Sequence, residues 1–141
     1  MYYLSIQEVE YVAHQLAREL MRWNEPIPSF NTRFPGVLEQ CLAVPTARYD
    51  KKSLYPGLVA QASMLLYVMI KNHPFQNGNK RVAIMTLFYF LYKNGKWLRI
   101  DNQELYNFAT WVAASNPKVK DQTVDAIKTI MRQNLIKRDD L

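Results

Sequence analysis

Cys41 is the only cysteine in the chain, so there is no internal disulfide and no cysteine cluster for a metal. A buried thiol is its expected role, and a reducing cytoplasm suits such a chain. No apolar run approaches the roughly 20 residues of a membrane span, and the N-terminus lacks a basic region followed by an apolar core. The sequence therefore reads as a soluble cytoplasmic protein. Repeats and low-complexity segments are also missing. Charge is not concentrated either: 18 basic and 12 acidic residues give +6, spread along the chain. That balance suits a nucleotide or an acidic protein surface, whereas a nucleic-acid binder would gather its cations on one face.

What is present is core-forming material. With 141 residues, 49% of them hydrophobic and 13% aromatic, the chain suits a single domain spanning residues 1–141. Leu58 to Ile70 and Val82 to Tyr92 are apolar on almost every side, as expected of two central helices. Between them runs a polar, charged segment, His73-Pro74-Phe75-Gln76-Asn77-Gly78-Asn79-Lys80-Arg81.

A charged loop between buried helices marks the candidate site. Pro74 disfavours helical angles at His73, so the first central helix should stop near Asn72 and leave the imidazole on an extended residue. Phe75 is expected to pin the loop to the core, and Asn77-Gly78 is a turn pair from which the second helix starts. A helix start carries unpaired N–H groups and about half a positive charge; Lys80 and Arg81 add cations there, each at a cost of about 0.3–1 kcal/mol. An anion would reverse that cost. Phosphate fits best, because N–H groups, a lysine point charge and an arginine fork together cradle a polyphosphate. Histidine is the side chain whose unperturbed pKa, about 6.5, suits general-base work near neutrality, so His73 is the candidate base for a hydroxyl that attacks such a phosphate.

The remaining elements follow from caps and breakers. Ser5-Ile6-Gln7-Glu8 is a capping box, and Val9, Val12, Ala13, Leu16, Leu20 and Trp23 mark a helical stripe to about residue 23. His14 on that helix reads as structural. Pro26, Pro28 and Pro35 interrupt the stretch from Glu25, which becomes a loop or ragged hairpin. Gly36 to Val44 is a short helix with Val37, Leu38, Cys41 and Leu42 inward, followed by a polar loop to Ser53. Pro56 fits a first helical position, so the central helix is expected from about Tyr55 to Asn72; its successor should end at Asn94, before Gly95. Trp97 to Ile100 reads as an extended connector, and Asp101 caps a helix to Ser115. A last helix, about Asp121 to Lys137, would place Val124, Ile127, Ile130, Met131 and Leu135 on one face.

The segment from His73 to Arg81 resembles the signature of the Fic/Doc (Fido) family, His-x-Phe-x-(Asp/Glu/Asn)-(Gly/Ala)-Asn-(Gly/Lys)-Arg. Gly36-Val37-Leu38-Glu39, Ala43-Val44-Pro45, Leu54-Tyr55-Pro56 and Lys71 through Gly95 look like successive blocks of the Doc (death-on-curing) branch, over about residues 4 to 100. The resemblance implies an all-α bundle of about six helices with a short irregular or β-hairpin flap. Pro26 to Phe34 stands in the flap's place, with Ser29, Phe30, Asn31, Thr32 and Arg33 as the target-docking residues.

By the same resemblance His73 is the base, Gly78 and Asn79 shape the anion hole, and Lys80 and Arg81 hold the phosphates of ATP. Asn77 takes the position of the usual Mg²⁺-binding carboxylate and would be a poorer ligand for that hard cation. Lys80 is the Doc form, associated with a reversed nucleotide and γ-phosphate transfer, whereas adenylyl-transferring members usually have Gly there. The implied reaction is kinase-like phosphoryl transfer to Ser or Thr of a translation protein such as an elongation factor. Adenylyl transfer from the same site, and a catalytically silent nucleotide- or partner-binding domain, stay open beside it. Phe34 sits where the Doc branch often has Asp. The family's self-inhibitory signature, (Ser/Thr)-x-x-x-Glu-(Gly/Asn), is not found at either end, which implies restraint by an antitoxin in trans.

Overall fold

The structure is a computed structural model that describes residues 1–21 and 26–141. The expected end of the first helix near Trp23, and the start of the loop at Glu25, lie outside the described residues. Helix α1 (residues 6–20) opens on the foreseen capping box: Glu8 N donates to Ser5 Oγ at 3.2 Å, and Ser5 N donates to Glu8 Oε1 at 3.0 Å. Its middle, Val9–His14, is π-helical. The wider π turn changes the phase of the apolar stripe. Val9, Ala13, Ala17 and Met21 are buried, while Leu16 and Leu20, expected in the core, face outward, with Leu20 65% exposed.

Phe30–Thr32 forms a 3₁₀ turn, and residues 26–34 contain no strand, so the flap is irregular and not a hairpin. Helix α2 (Val37–Ala43) buries Leu38 and Cys41, with Val37 and Leu42 packed against the same core. The stretch expected to be a polar loop contains a hairpin, β1 (Arg48–Tyr49) against β2 (Lys52–Ser53). Its turn residues Asp50 and Lys51 have φ of 49° and 65°. Two-residue hairpin turns use positive φ, but Asp-Lys lacks the glycine that usually announces one.

Helix α3 (Leu58–Lys71) begins later than the expected Tyr55, because Gly57, at φ 89° and ψ 160°, is not helical. Every residue from Gln61 to Ile70 is buried. Helix α4 (Asn79–Lys93) runs beside it and is likewise buried all round from Arg81 to Phe88. Central helices of this kind carry apolar residues on every face, as these do. Strand β3 (Lys96–Leu98) follows, and then α5 (Asn102–Ala114), whose first turn is capped by Asp101 accepting from Glu104 N at 3.0 Å.

Helix α6 (Lys120–Asn134) packs on α3 and stops before its expected end at Lys137. Leu135–Lys137 forms β4 instead, antiparallel to β3, with Leu98 opposite Leu135 and Trp97 opposite Ile136. The pairing gives the backbone groups of the supposed connector partners they would otherwise lack. Leu135 is thus a strand residue and not part of the helical face. Among the described residues, six helices with small antiparallel pairs make the mostly helical architecture that the sequence implied. Among the described residues no helix is long and apolar enough to cross a membrane.

Candidate active site

His73 to Arg81 joins the end of α3 to the start of α4 and is folded around Asn79. The Asn79 side chain clamps the backbone of Phe75 from both sides, accepting from Phe75 N through Oδ1 at 2.8 Å and donating from Nδ2 to Phe75 O at 2.8 Å. Phe75 is buried and packs against His14 and Phe30, with ring centroids 5.3 and 5.9 Å away. This fixes the loop to the core as its apolar residue suggested. His14 is structural as expected: it is 2% exposed, Nε2 meets Pro28 O at 3.1 Å, and burial lowers its pKa despite the hydrogen bond.

Closing the loop this tightly bends it at His73, which has φ +49° and not the extended angles expected before Pro74. Left-handed backbone at a non-glycine residue costs about 1–2 kcal/mol, and such strain concentrates at functional positions. The imidazole is exposed, and its Nδ1 lies 3.5 Å from Asn79 Nδ2. That separation is too long to dictate the tautomer, so either ring nitrogen is available as a proton acceptor.

Gly78 takes the left-handed conformation at φ +78° immediately before α4. Ile27 from the flap segment lies over it: a Cβ on Gly78 would fall 2.7 Å from Ile27 Cγ1. Arg81, 3% exposed, donates from an Nη atom to Met21 O, just past the end of α1, at 3.0 Å. Met21 and Ile27 therefore both rest on the loop. A third tie comes from Phe34 N, which donates to Pro74 O at 2.9 Å.

These residues line a pocket of about 510 Å³ formed by His73, Gln76, Asn77, Gly78, Asn79, Lys80 and Arg81 on one side. Ile70 near the end of α3 and Tyr106 and Ala113 from the segment 102–114 complete the lining. The polar wall holds the first turn of α4 with two cations, and among the described residues no carboxylate is within ion-pair distance of either. A buried guanidinium beside a helix N-terminus attracts an anion strongly. Asn77 Oδ1 accepts from Gly78 N at 2.8 Å, so one of its lone pairs is already used in the turn. Among the described residues no group of three His, Cys, Asp or Glu side chains could hold a metal.

A family model described as Fic/DOC family matches residues 3–91, more than half of the chain. The chain belongs to the Fic/DOC family. It is also similar to the protein named Toxin Doc of Mycolicibacterium smegmatis, 36% identical over 66 residues, which are 47% of this chain and 51% of that protein. The chain thus spans about half the length of that relative. No solved structure matches.

Within this Fic/DOC protein, the residues singled out in the sequence meet in one pocket, except for the flap set. Ser29, Asn31 and Thr32 are exposed, but Phe30 is turned into the core between His14 and Phe75. Arg33 lies over the Phe30 ring at 4.4 Å and reaches Glu39 at 3.7 Å. Phe34, 46% exposed, is the large apolar side chain this segment presents. The opposite wall was not foreseen. Tyr106 and Ala113 lie seven residues apart, two helical turns, flanking the buried Leu105, Ala109 and Val112 of α5, a spacing that could have flagged a second semi-buried stripe. Lys71 holds this wall by donating from Nζ to Ala113 O at 3.1 Å and Ser115 O at 2.6 Å.

Proposed function

We propose that this Fic/DOC protein transfers the γ-phosphate of ATP to a Ser or Thr hydroxyl of a target protein. The observation that carries the reading is the shared pocket: an exposed, strained His73 faces the same space as the first turn of α4 with Lys80 and Arg81. In the reaction the target hydroxyl oxygen forms a bond to the γ-phosphorus, and the bond to the leaving oxygen of ADP breaks. His73 takes the hydroxyl proton, a contribution of about 10²–10⁴-fold for a positioned base. Lys80, Arg81 and the α4 backbone N–H groups stabilise charge on the phosphoryl oxygens, while Asn79 keeps the loop in shape.

Mg²⁺ bound with the nucleotide would offset phosphate charge. Asn77 would be its protein ligand through Oδ1, a neutral and therefore weaker ligand than a carboxylate. Adenylyl transfer uses the same base and cradle with the nucleotide reversed. The engaged amide of Asn77 favours a further alternative, a domain that binds nucleotide without turnover.

The proposed target is a translation factor such as an elongation factor, and the proposed partner is an antitoxin that covers the nucleotide site. Incubating the protein with cell lysate and ATP labelled at either the α- or the γ-phosphate tests the reaction. The γ-label should become protein-bound; α-label attachment would establish the adenylyl reading, and attachment of neither would leave the silent one. Toxicity on expression alone, relieved by a neighbouring small gene product that co-purifies, tests the antitoxin.

A further inference from the structure

Lys80 does not extend freely into the pocket. Its Nζ lies 5.7 Å from the centroid of the Tyr106 ring, which reaches across from α5 to the opposite wall. An ammonium over the face of a tyrosine is attracted by the negative face of the ring, and within about 6 Å that attraction orders a long side chain. Lysine otherwise loses much rotamer freedom when it grips a ligand. Tyr106 is half-buried and sits on a helix whose C-terminus is fastened by Lys71.

From this geometry we infer that Tyr106 is the positioning residue for Lys80, holding its ammonium across the cleft so that the lysine meets a nucleotide phosphate already ordered. The inference rests on the reading of the pocket as a nucleotide site, and it adds a residue outside the motif to the determinants of nucleotide orientation. Binding to a preordered lysine forfeits less side-chain entropy, so the ring strengthens polyphosphate binding without touching the phosphates. Phenylalanine supplies the same face; leucine fills similar space without it.

The test measures ATP binding by calorimetry, with Mg²⁺ present, for wild type, Tyr106→Phe, Tyr106→Leu, Lys80→Met and the double variant Tyr106→Leu/Lys80→Met. Tyr106→Leu should weaken binding about two- to fivefold, the factor expected of one partly exposed ring–cation contact. Tyr106→Phe should bind as wild type does. In the Lys80→Met background, Tyr106→Leu should change affinity by no more than the error of the method. An equal loss in both backgrounds, a failure of phenylalanine to restore binding, or unchanged affinity in Tyr106→Leu would each overturn the proposal. Binding is read without turnover, so a wild-type protein that binds ATP but labels no target would sink the transfer reaction while leaving this coupling measurable. A wild-type protein that does not bind ATP would overturn both.

Discussion

Replacing Gly78 by alanine tests how the flap connection is seated on the loop, and the structure sets the cost in two parts. The first is conformational: at φ +78°, a Cβ costs about 1–2 kcal/mol. The second is steric, since the new methyl would lie 2.7 Å from Ile27 Cγ1 and 3.3 Å from Cγ2. Ile27 is buried, and its two γ carbons are carried on a stiff, branched Cβ, so they give way less readily than the far end of a flexible side chain. Overpacking of that kind costs about 1–3 kcal/mol.

Together the two parts come to about 2–5 kcal/mol, a large fraction of the stability of an ordinary domain. Gly95 provides the control, with φ +79° and nothing within 4 Å of the position its Cβ would take. Urea unfolding should show Gly95→Ala losing only the conformational part. Gly78→Ala should lose more, and in an Ile27→Ala background its additional loss should fall to the Gly95 value. The same loss for Gly78→Ala with and without the Ile27 side chain would refute the claim that Ile27 rests on this glycine.

Three further outcomes follow from the same geometry. His73→Ala should leave folding and ATP binding nearly intact and reduce transfer about 10²–10⁴-fold; unchanged transfer would remove His73 from the mechanism. Asn77→Asp should lower the Mg²⁺ concentration needed for half-maximal nucleotide binding, because a carboxylate is the better ligand for that cation; superimposable titrations would show that position 77 only holds the turn before Gly78. Burial, aided by the nearby Arg18 charge, lowers the His14 pKa, so the folded chain binds that proton less readily than the unfolded chain. Its stabilising contribution is therefore complete above the ordinary histidine pKa of about 6.5 and is lost as pH falls below it. The unfolding midpoint of His14→Gln should change less than that of wild type across this window, and parallel profiles would exclude His14 as the source.

The polar wall was legible in the sequence because its chemistry is contiguous: His73, Asn77, Gly78, Lys80 and Arg81 reach one pocket through a single turn and the helix after it. Tyr106 and Ala113 belong to a helix that meets the loop only through packing, and their spacing marks a helix flank without saying what the flank faces. The backbone of His73 was misjudged for a related reason. Pro74 restrains its neighbour locally, but the closure imposed by the Asn79 clamp on Phe75 decides the angle. Leu16 and Leu20 fit an α-helical stripe as well as Ala13 does; the π segment, which composition does not announce, turns them outward. Leu135 likewise fitted a helical face until β3 offered a strand to pair with.

The central claim is that Lys80, at the start of α4, presents the γ-phosphate to His73. It is tested most directly by following both labels of ATP in wild type and Lys80→Gly with one purified target. Wild type should attach the γ-label alone. Lys80→Gly should lose that transfer, and any label it still attaches should be the α-label. Attachment of the α-label by wild type, or undiminished γ-transfer by Lys80→Gly, would contradict the account.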